Sequence, residues 1–264
     1  MKKRFLTLAA LALLFAGLNS CSKNDPTNTI EQGLSSDLKA QITALGFDAS
    51  DAYATEGGYI VENDIFLSTE DLNKPMDLAH SLIFGNEEQY HTTNLVTGLP
   101  RTIKVSRDNN FSANAKAGIT AAIARYNAEN LQLTFQEVAS GANIHIKRVN
   151  GGNYIASAGF PSGGNPYGTV KFNKTYENYS LGFVTTVIAH EMGHCIGFRH
   201  TDYMDRSYSC GGAPSNEGDG GVGAIHIPGT PTGPDAASWM LACLSATTNR
   251  PFQANDKTAL NALY

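Results

Sequence analysis

Residues 190–200 read His190-Glu191-Met192-Gly193-His194-Cys195-Ile196-Gly197-Phe198-Arg199-His200. The nine residues before them, Leu181 to Ala189, are apolar enough to make the start of a buried helix. At about 100° per residue, His190 and His194 then lie only ~40° apart on one helical face, so both imidazoles can grip one ion. Had the helix continued, His200 would sit roughly 240° round from His194 and face away. The chain must therefore leave the helix, and Gly197 is the residue that can do it, because a residue without Cβ takes the left-handed conformation that ends helices. Three neutral imidazoles with one open position form the arrangement of a catalytic zinc; a structural zinc would take four protein ligands. His190, His194 and His200 are thus predicted to be the metal ligands and Zn2+ the cofactor. Glu191 is predicted to be the catalytic base, since one residue along from His190 its carboxylate can lean over the open position.

Written as a pattern, H-E-x-x-H-x-x-G-x-x-H resembles that of the metzincin clan of zinc endopeptidases. With Thr201 and Asp202 added, the match is close to one subgroup, and the stretch resembles the dual-action HEIGH metallopeptidases, with Met192 where that name has Ile. The resemblance implies an α+β catalytic domain over residues 101–264: a twisted mixed sheet with an antiparallel edge strand, two main helices, a zinc cleft, a methionine turn and a C-terminal helix. Ser238-Trp239-Met240 resembles the methionine turn, the apolar floor beneath the zinc. In astacin-like and serralysin-like enzymes a Tyr two residues past that Met can reach the metal, but this position is Ala242 here. Some relatives use an acidic third ligand, a role for Asp202; with His200 in register, the histidine is preferred.

The catalytic stretch carries matching patterns. Thr102-Ile103-Lys104-Val105 reads as a strand, and Phe111 to Asn130 as a helix with Ile119, Ala122, Ile123 and Tyr126 on one stripe. Strands follow at Leu131–Phe135 and Ile144–Ile146, where His145 is expected on a polar rim rather than on a second metal. Tyr154 to Pro161 resembles the exposed sheet edge above the metzincin cleft, whose free N–H and C=O groups pair with an extended peptide. Gly168–Phe172 is a further strand. Cys210 to Pro234 holds eight glycines and is expected to lack regular structure, with His226 as a loop histidine and Glu217 and Asp219 too few for calcium. Phe252–Tyr264 reads as a terminal helix capped near Asn255 or Asp256.

At the other end, Met1-Lys2-Lys3-Arg4, an apolar run and Leu18-Asn19-Ser20-Cys21 have the form of a lipoprotein signal, residues 1–20, with lipid on Cys21. Residues 21–34 would be an anchor and tether, making the protein a cell-envelope lipoprotein of the outer membrane, surface-exposed if Ser22-Lys23-Asn24-Asp25 is the export tag it resembles. Residues 35–100 have a helical pattern at Ser35–Leu45, a strand at Gly58–Ile65 running into a polar break, and helix or turn at Thr69–Leu82. Within them Val61-Glu62-Asn63-Asp64-Ile65 resembles, with Asn for Gly and Val for Phe, the astacin propeptide stretch whose Asp caps the zinc. A surface Asp after a strand is the plainer reading of those five residues; the resemblance implies instead a prosegment with Asp64 in the open zinc position.

The net charge of −5 and the lack of a Lys/Arg cluster leave no footprint for nucleic acid, so protein or peptide substrate and the membrane are the predicted partners of a monomer. Export permits a disulfide, and Cys210 with Cys243 is the favoured pair among Cys195, Cys210 and Cys243, although sequence leaves the connectivity open. The predicted function is zinc-dependent endopeptidase. Its rivals are a surface binding protein with a vestigial zinc site, which the intact Glu191 disfavours, and a zinc hydrolase of non-peptide amides.

Overall fold

The stripe at Ile119, Ala122, Ile123 and Tyr126 is the buried side of helix α2, Ala113–Asn127, whose Ser112 hydroxyl caps it by accepting the Ala115 N–H at 3.1 Å. It lies against α3, Leu181–Ile196, and both helices cover one five-stranded sheet. A computed structural model describes residues 33–73, 89–218, 221–231 and 233–264, of which Leu34–Tyr264 cluster as one compact unit. The expected lipoprotein signal, Cys21 and most of the helix or turn expected at Thr69–Leu82 lie outside the described residues.

Several short elements precede that sheet. Helix α1 is Ser36–Ala44, and strands β1 (Tyr53–Thr55), β2 (Gly58–Val61) and β3 (Ile65–Ser68) form an antiparallel sheet. The single strand read at Gly58–Ile65 is two, because Glu62 and Asn63 take left-handed φ of 52° and 71° and turn the chain between them. Ile42, Phe47, Val61, Ile65 and Leu67 make a small core of their own, onto which Phe160 and Val222 pack from the remainder of the chain.

Strand β4, Tyr90–His91, is followed by the main sheet: β5 (Arg101–Arg107), β6 (Leu133–Glu137), β7 (Ile144–Val149), β8 (Ala156–Ser157) and β9 (Thr169–Asn173). Its order is β6-β5-β7-β9-β8, parallel except for β8, which is antiparallel at the edge. The parallel β5–β6 pair needs a crossover, and α2 is that crossover. Inward positions Ile103, Val105, Leu133, Phe135, Ile144, Ile146, Val170 and Phe172 meet the two helices in the main core. The fold is the expected α+β one.

Two local expectations give way. Helix α4, Ser207–Cys210, leads into the glycine-rich stretch, which nevertheless contains β10, Ile225–His226, because β4 supplies an antiparallel partner. Helix α5, Ala254–Leu263, is capped at Gln253 rather than near Asn255 or Asp256; the Asp256 side chain accepts the Gln253 N–H at 2.8 Å and closes a capping box. The Cys210–Cys243 bond is formed, and Cys195 is buried and free. No described helix is long and apolar enough to cross a membrane.

Candidate metal centre

Helix α3 begins with the Ser180 hydroxyl accepting the Phe183 N–H and ends at Gly197, φ 113°. A Cβ at Gly197 would come within 2.7 Å of Leu95 and 2.9 Å of the Asn94 carbonyl, so both conformation and space require glycine there. Past it the chain is zipped onto β4: Thr92 N–H donates to the Gly197 carbonyl at 2.8 Å and Arg199 N–H to the Tyr90 carbonyl at 2.9 Å. That detour brings His200 back under the helix, where its Nε2 joins those of His190 and His194.

Each imidazole is tied from behind through Nδ1. His190 reaches the Trp239 carbonyl at 2.9 Å, His194 the Phe198 carbonyl at 2.8 Å, and His200 the Glu217 carboxylate at 2.8 and 3.0 Å. An acceptor at Nδ1 fixes the proton there and leaves the Nε2 lone pair bare. The Nε2 atoms of His190 and His194 are only 3.0 Å apart, and two facing lone pairs at that distance repel unless a cation lies between them. Three imidazoles that converge through Nε2 are the donor set of zinc. Burial alone would lower the His200 pKa, yet the carboxylates of Asp64 and Glu217 carry it well above the usual histidine range, so the site's own field calls for positive charge.

Asp64 completes the cluster that these three histidines form. Its Oδ2 lies 3.3 Å from His190 Nε2 and 3.2 Å from His200 Nε2, and the residue is buried. The surface-Asp reading is therefore wrong: the left-handed Glu62–Asn63 turn aims the side chain inward. Burial would raise the Asp64 pKa, but His200 and His190 outweigh it and hold the carboxyl well below the usual range. Glu191, also buried, is pushed the other way by burial and by the Asp64 charge, and its Oε2 has no hydrogen-bond partner among the described residues.

A family model described as dual-action HEIGH metallo-peptidase matches residues 59–264. The chain belongs to that family. Solved structures similar to it include myroilysin, at 16% identity over 42% of this chain and 54% of that one, TM-score 0.35. Another is HCE-1, a hatching enzyme zinc-protease from Oryzias latipes, at 14% identity over 61% of this chain and 88% of that one, TM-score 0.39. The chain thus spans about half the length of myroilysin. No curated protein matches the chain significantly.

In this HEIGH metallo-peptidase Met240 is fully buried against the zinc helix; a Cβ on Gly193 would lie 2.6 Å from its sulfur, which explains the glycine inside the motif. Asp202 is not at the centre. Its carboxylate accepts the Ala242 N–H at 2.9 Å and the Ser209 hydroxyl at 2.5 Å, fastening the chain after His200 to the chain after Met240. His145 lies between Ser106 (2.8 Å) and Asp108 (3.0 Å), and His226 Nε2 meets the Thr230 hydroxyl at 2.9 Å; neither belongs to the cluster of Asp64 with the three histidines. Sequence reading missed Glu217 as the support of His200. It also missed Arg199, whose buried guanidinium lies 3.7 Å from both Glu62 and Glu217. Its one available signal was a charged residue placed beside a ligand, and spacing gives that no meaning.

Proposed function

We propose that this metallo-peptidase is a zinc endopeptidase of the metzincin type, with His190, His194 and His200 as ligands and Glu191 as general base. The observation that carries the reading is the convergence of three Nε2 atoms, each with Nδ1 tied off, beside a buried carboxylate oxygen that has no partner among the described residues. When bound, zinc supplies Lewis acidity, acidifying water and polarising a carbonyl. Glu191 then accepts the water's proton during attack and delivers it to the leaving nitrogen, so no covalent enzyme intermediate is required. The β8 edge holds the peptide by its backbone groups, which suits a protein substrate cut within its chain.

The segment ahead of the catalytic part is, on this reading, an inhibitory prosegment. Asp64 sits where water and carbonyl would have to meet. Its carbonyl accepts the Ala158 N–H at 3.0 Å and Phe66 N–H donates to the Ala158 carbonyl at 2.8 Å, so the segment also fills the sheet edge. Gln89–Val96, by contrast, is woven into the catalytic core through β4 and Val96, which puts the useful cut ahead of Gln89. We further infer lipid attachment at Cys21, which Cys21→Ala would abolish, releasing the protein from the membrane fraction.

The deciding comparison is between full-length wild type, Asp64→Ala and the double variant Asp64→Ala/Glu191→Gln. Asp64→Ala should hydrolyse a peptide pool without trimming, whereas the double variant keeps its zinc and is slower by about 10²–10⁴. Zinc content with undiminished hydrolysis in the double variant would remove Glu191 from the mechanism. Equal activity of wild type and Asp64→Ala would remove the prosegment.

A further inference from the structure

Away from the metal, two lysines mark the border of the sheet edge. Lys171 on β9 stands across from Ser157 of the edge strand β8 and, on its other side, across from Lys147 of β7. The N-terminal segment meets both. The Phe66 ring centroid lies 3.9 Å from Lys171 Nζ, which also donates to the Glu56 carbonyl at 3.3 Å, and Lys147 Nζ lies 3.9 Å from the Glu56 carboxylate. Phe66 also donates its N–H to the Ala158 carbonyl at 2.8 Å, so its backbone and its ring are docked on the edge together.

Like charges on facing positions of neighbouring strands repel, and a group that lies over them is favoured when it brings electrons or negative charge. Burial and the Lys147 charge hold the Lys171 pKa below the usual lysine range, with Glu56 acting against them. An aromatic face answers that need through its ring quadrupole, and a carboxylate answers it by charge; another lysine or an arginine would add to the repulsion. Space is kept for a ring, since a Cβ on Gly58 would come within 2.9 Å of Phe66. The Lys147–Glu56 pair is exposed and contributes little by itself. Lys171 is therefore the discriminating member of the two.

The spacing to the metal is set by the same segment. Asp64 joins the three histidines and Phe66, two residues on, meets Lys171, so an extended chain at this edge that offers one group to the metal offers another to Lys171 about two residues away. We propose that Lys171, backed by Lys147, is a specificity-determining position for the chain seated on the sheet edge, accepting an aromatic or acidic side chain about two residues from the cut and rejecting lysine and arginine. The N-terminal segment fills it with Phe66, and a substrate fills it when that segment has left. The inference rests on the endopeptidase and prosegment readings above.

The test uses the full-length Asp64→Ala chain on a diverse peptide pool, with cut sites mapped by mass spectrometry and read as a profile over positions on both sides of the cut rather than as a rate. At a position about two residues from the cut, aromatic and acidic residues should exceed Lys and Arg by about three- to fivefold. Lys171→Glu in the same background should put Lys and Arg above Asp and Glu at that position, with thermal melting and zinc content confirming that the variant is folded. Lys104→Glu makes the same charge change on β5, which β7 and β9 separate from the edge strand, and should leave the profile as it was. Absence of the preference, a profile unchanged by Lys171→Glu in a folded protein, or an equal shift from Lys104→Glu would overturn the proposal. If no peptide is cut, the endopeptidase reading fails first, and hydrogen exchange at the Ala158 amide, which donates to the Asp64 carbonyl in the otherwise wild-type chain, decides the position separately. Exchange should be at least about threefold faster in Phe66→Lys than in Phe66→Glu, and Phe66→Lys combined with Lys171→Glu should slow it again. Equal exchange in the two single variants, or no recovery in the double one, overturns the proposal.

Discussion

The metal centre has two ends that are built differently. At the helix end His190 and His194 are held by main-chain carbonyls, those of Trp239 and Phe198, which carry no net charge. At the loop end His200 is held by Glu217, and behind it lies a buried set of charges drawn from three separate stretches: Glu62, Arg199, Arg206 and Glu217. Neutral supports cost little to bury and need only local geometry. Charged ones are costly to bury unless every member is present, so the loop end depends on residues far apart in sequence agreeing on one arrangement. It is also the end to which the N-terminal segment is fastened, since Glu62 reaches Arg199 from two residues ahead of Asp64.

The largest effect should come from removing the charge at the middle of that set. Arg199 is fully buried, with the rings of Phe47, Phe160 and Tyr203 within 5.7–5.8 Å of its guanidinium carbon. Burial and the neighbouring Glu217 already push the Glu62 carboxyl well above the ordinary range, and Arg199 is the main force against them. Arg199→Met should therefore destabilise the full chain by about 3–5 kcal/mol, read from denaturant midpoints of the zinc-loaded protein. Adding Glu62→Gln should restore part of that loss, because one stranded carboxylate is removed. A loss under about 1 kcal/mol would mean the loop end is not charge-balanced through Arg199.

Glu217 separates the two ends by metal affinity rather than stability. Glu217→Gln keeps an acceptor for the His200 Nδ1–H but withdraws the negative charge behind the ring, leaving the carbonyl supports of His190 and His194 as they are. Zinc should bind about 10- to 100-fold more weakly, measured by chelator competition, with the fold retained. Unchanged affinity would show that His200 needs an acceptor and not a charge, and the two ends would then be alike.

This division also marks what could be read in advance. The helix end is written in one stretch: the spacing of His190 and His194, the exit at Gly197 and the apolar run from Leu181 fix both the element and the direction of the rings. The sheet and α2 were legible for the same reason, since a period of two or 3.6 residues is a local signal. Glu217 was not legible, because a carboxylate among glycines looks like any loop residue until folding brings it to within 2.8 Å of His200. Asp64 was legible only as a resemblance. Whether it faces solvent or metal turns on two positive φ values at Glu62 and Asn63, residue types with no strong demand for them, and on an edge strand more than ninety residues away.

The smallest effect on zinc should come from Asp256, which touches neither ligand nor metal and would show whether the helix end is as free of charge as its carbonyls suggest. Its carboxylate accepts the Gln89 side-chain N–H at 2.8 Å, the Gln253 N–H at 2.8 Å and the Trp239 N–H at 3.4 Å, and the Trp239 carbonyl is the one that holds His190. Burial outweighs those donors and raises its pKa to about 7. A carboxyl raised in the folded state keeps its proton there while the unfolded chain ionises from about pH 4, so its contribution to stability is full below about pH 4 and is lost as pH rises to about 7. In that window the wild type should forfeit at most about 1.4 kcal/mol per pH unit from this group, whereas Asp256→Asn has nothing to titrate. The variant's deficit should accordingly be widest near pH 4 and narrow toward pH 7, with zinc affinity at pH 7 reduced less than in Glu217→Gln. A deficit constant across the window would mean that Asp256 titrates normally, and a zinc loss as large as that of Glu217→Gln would mean that the helix end also leans on charge, one peptide group removed.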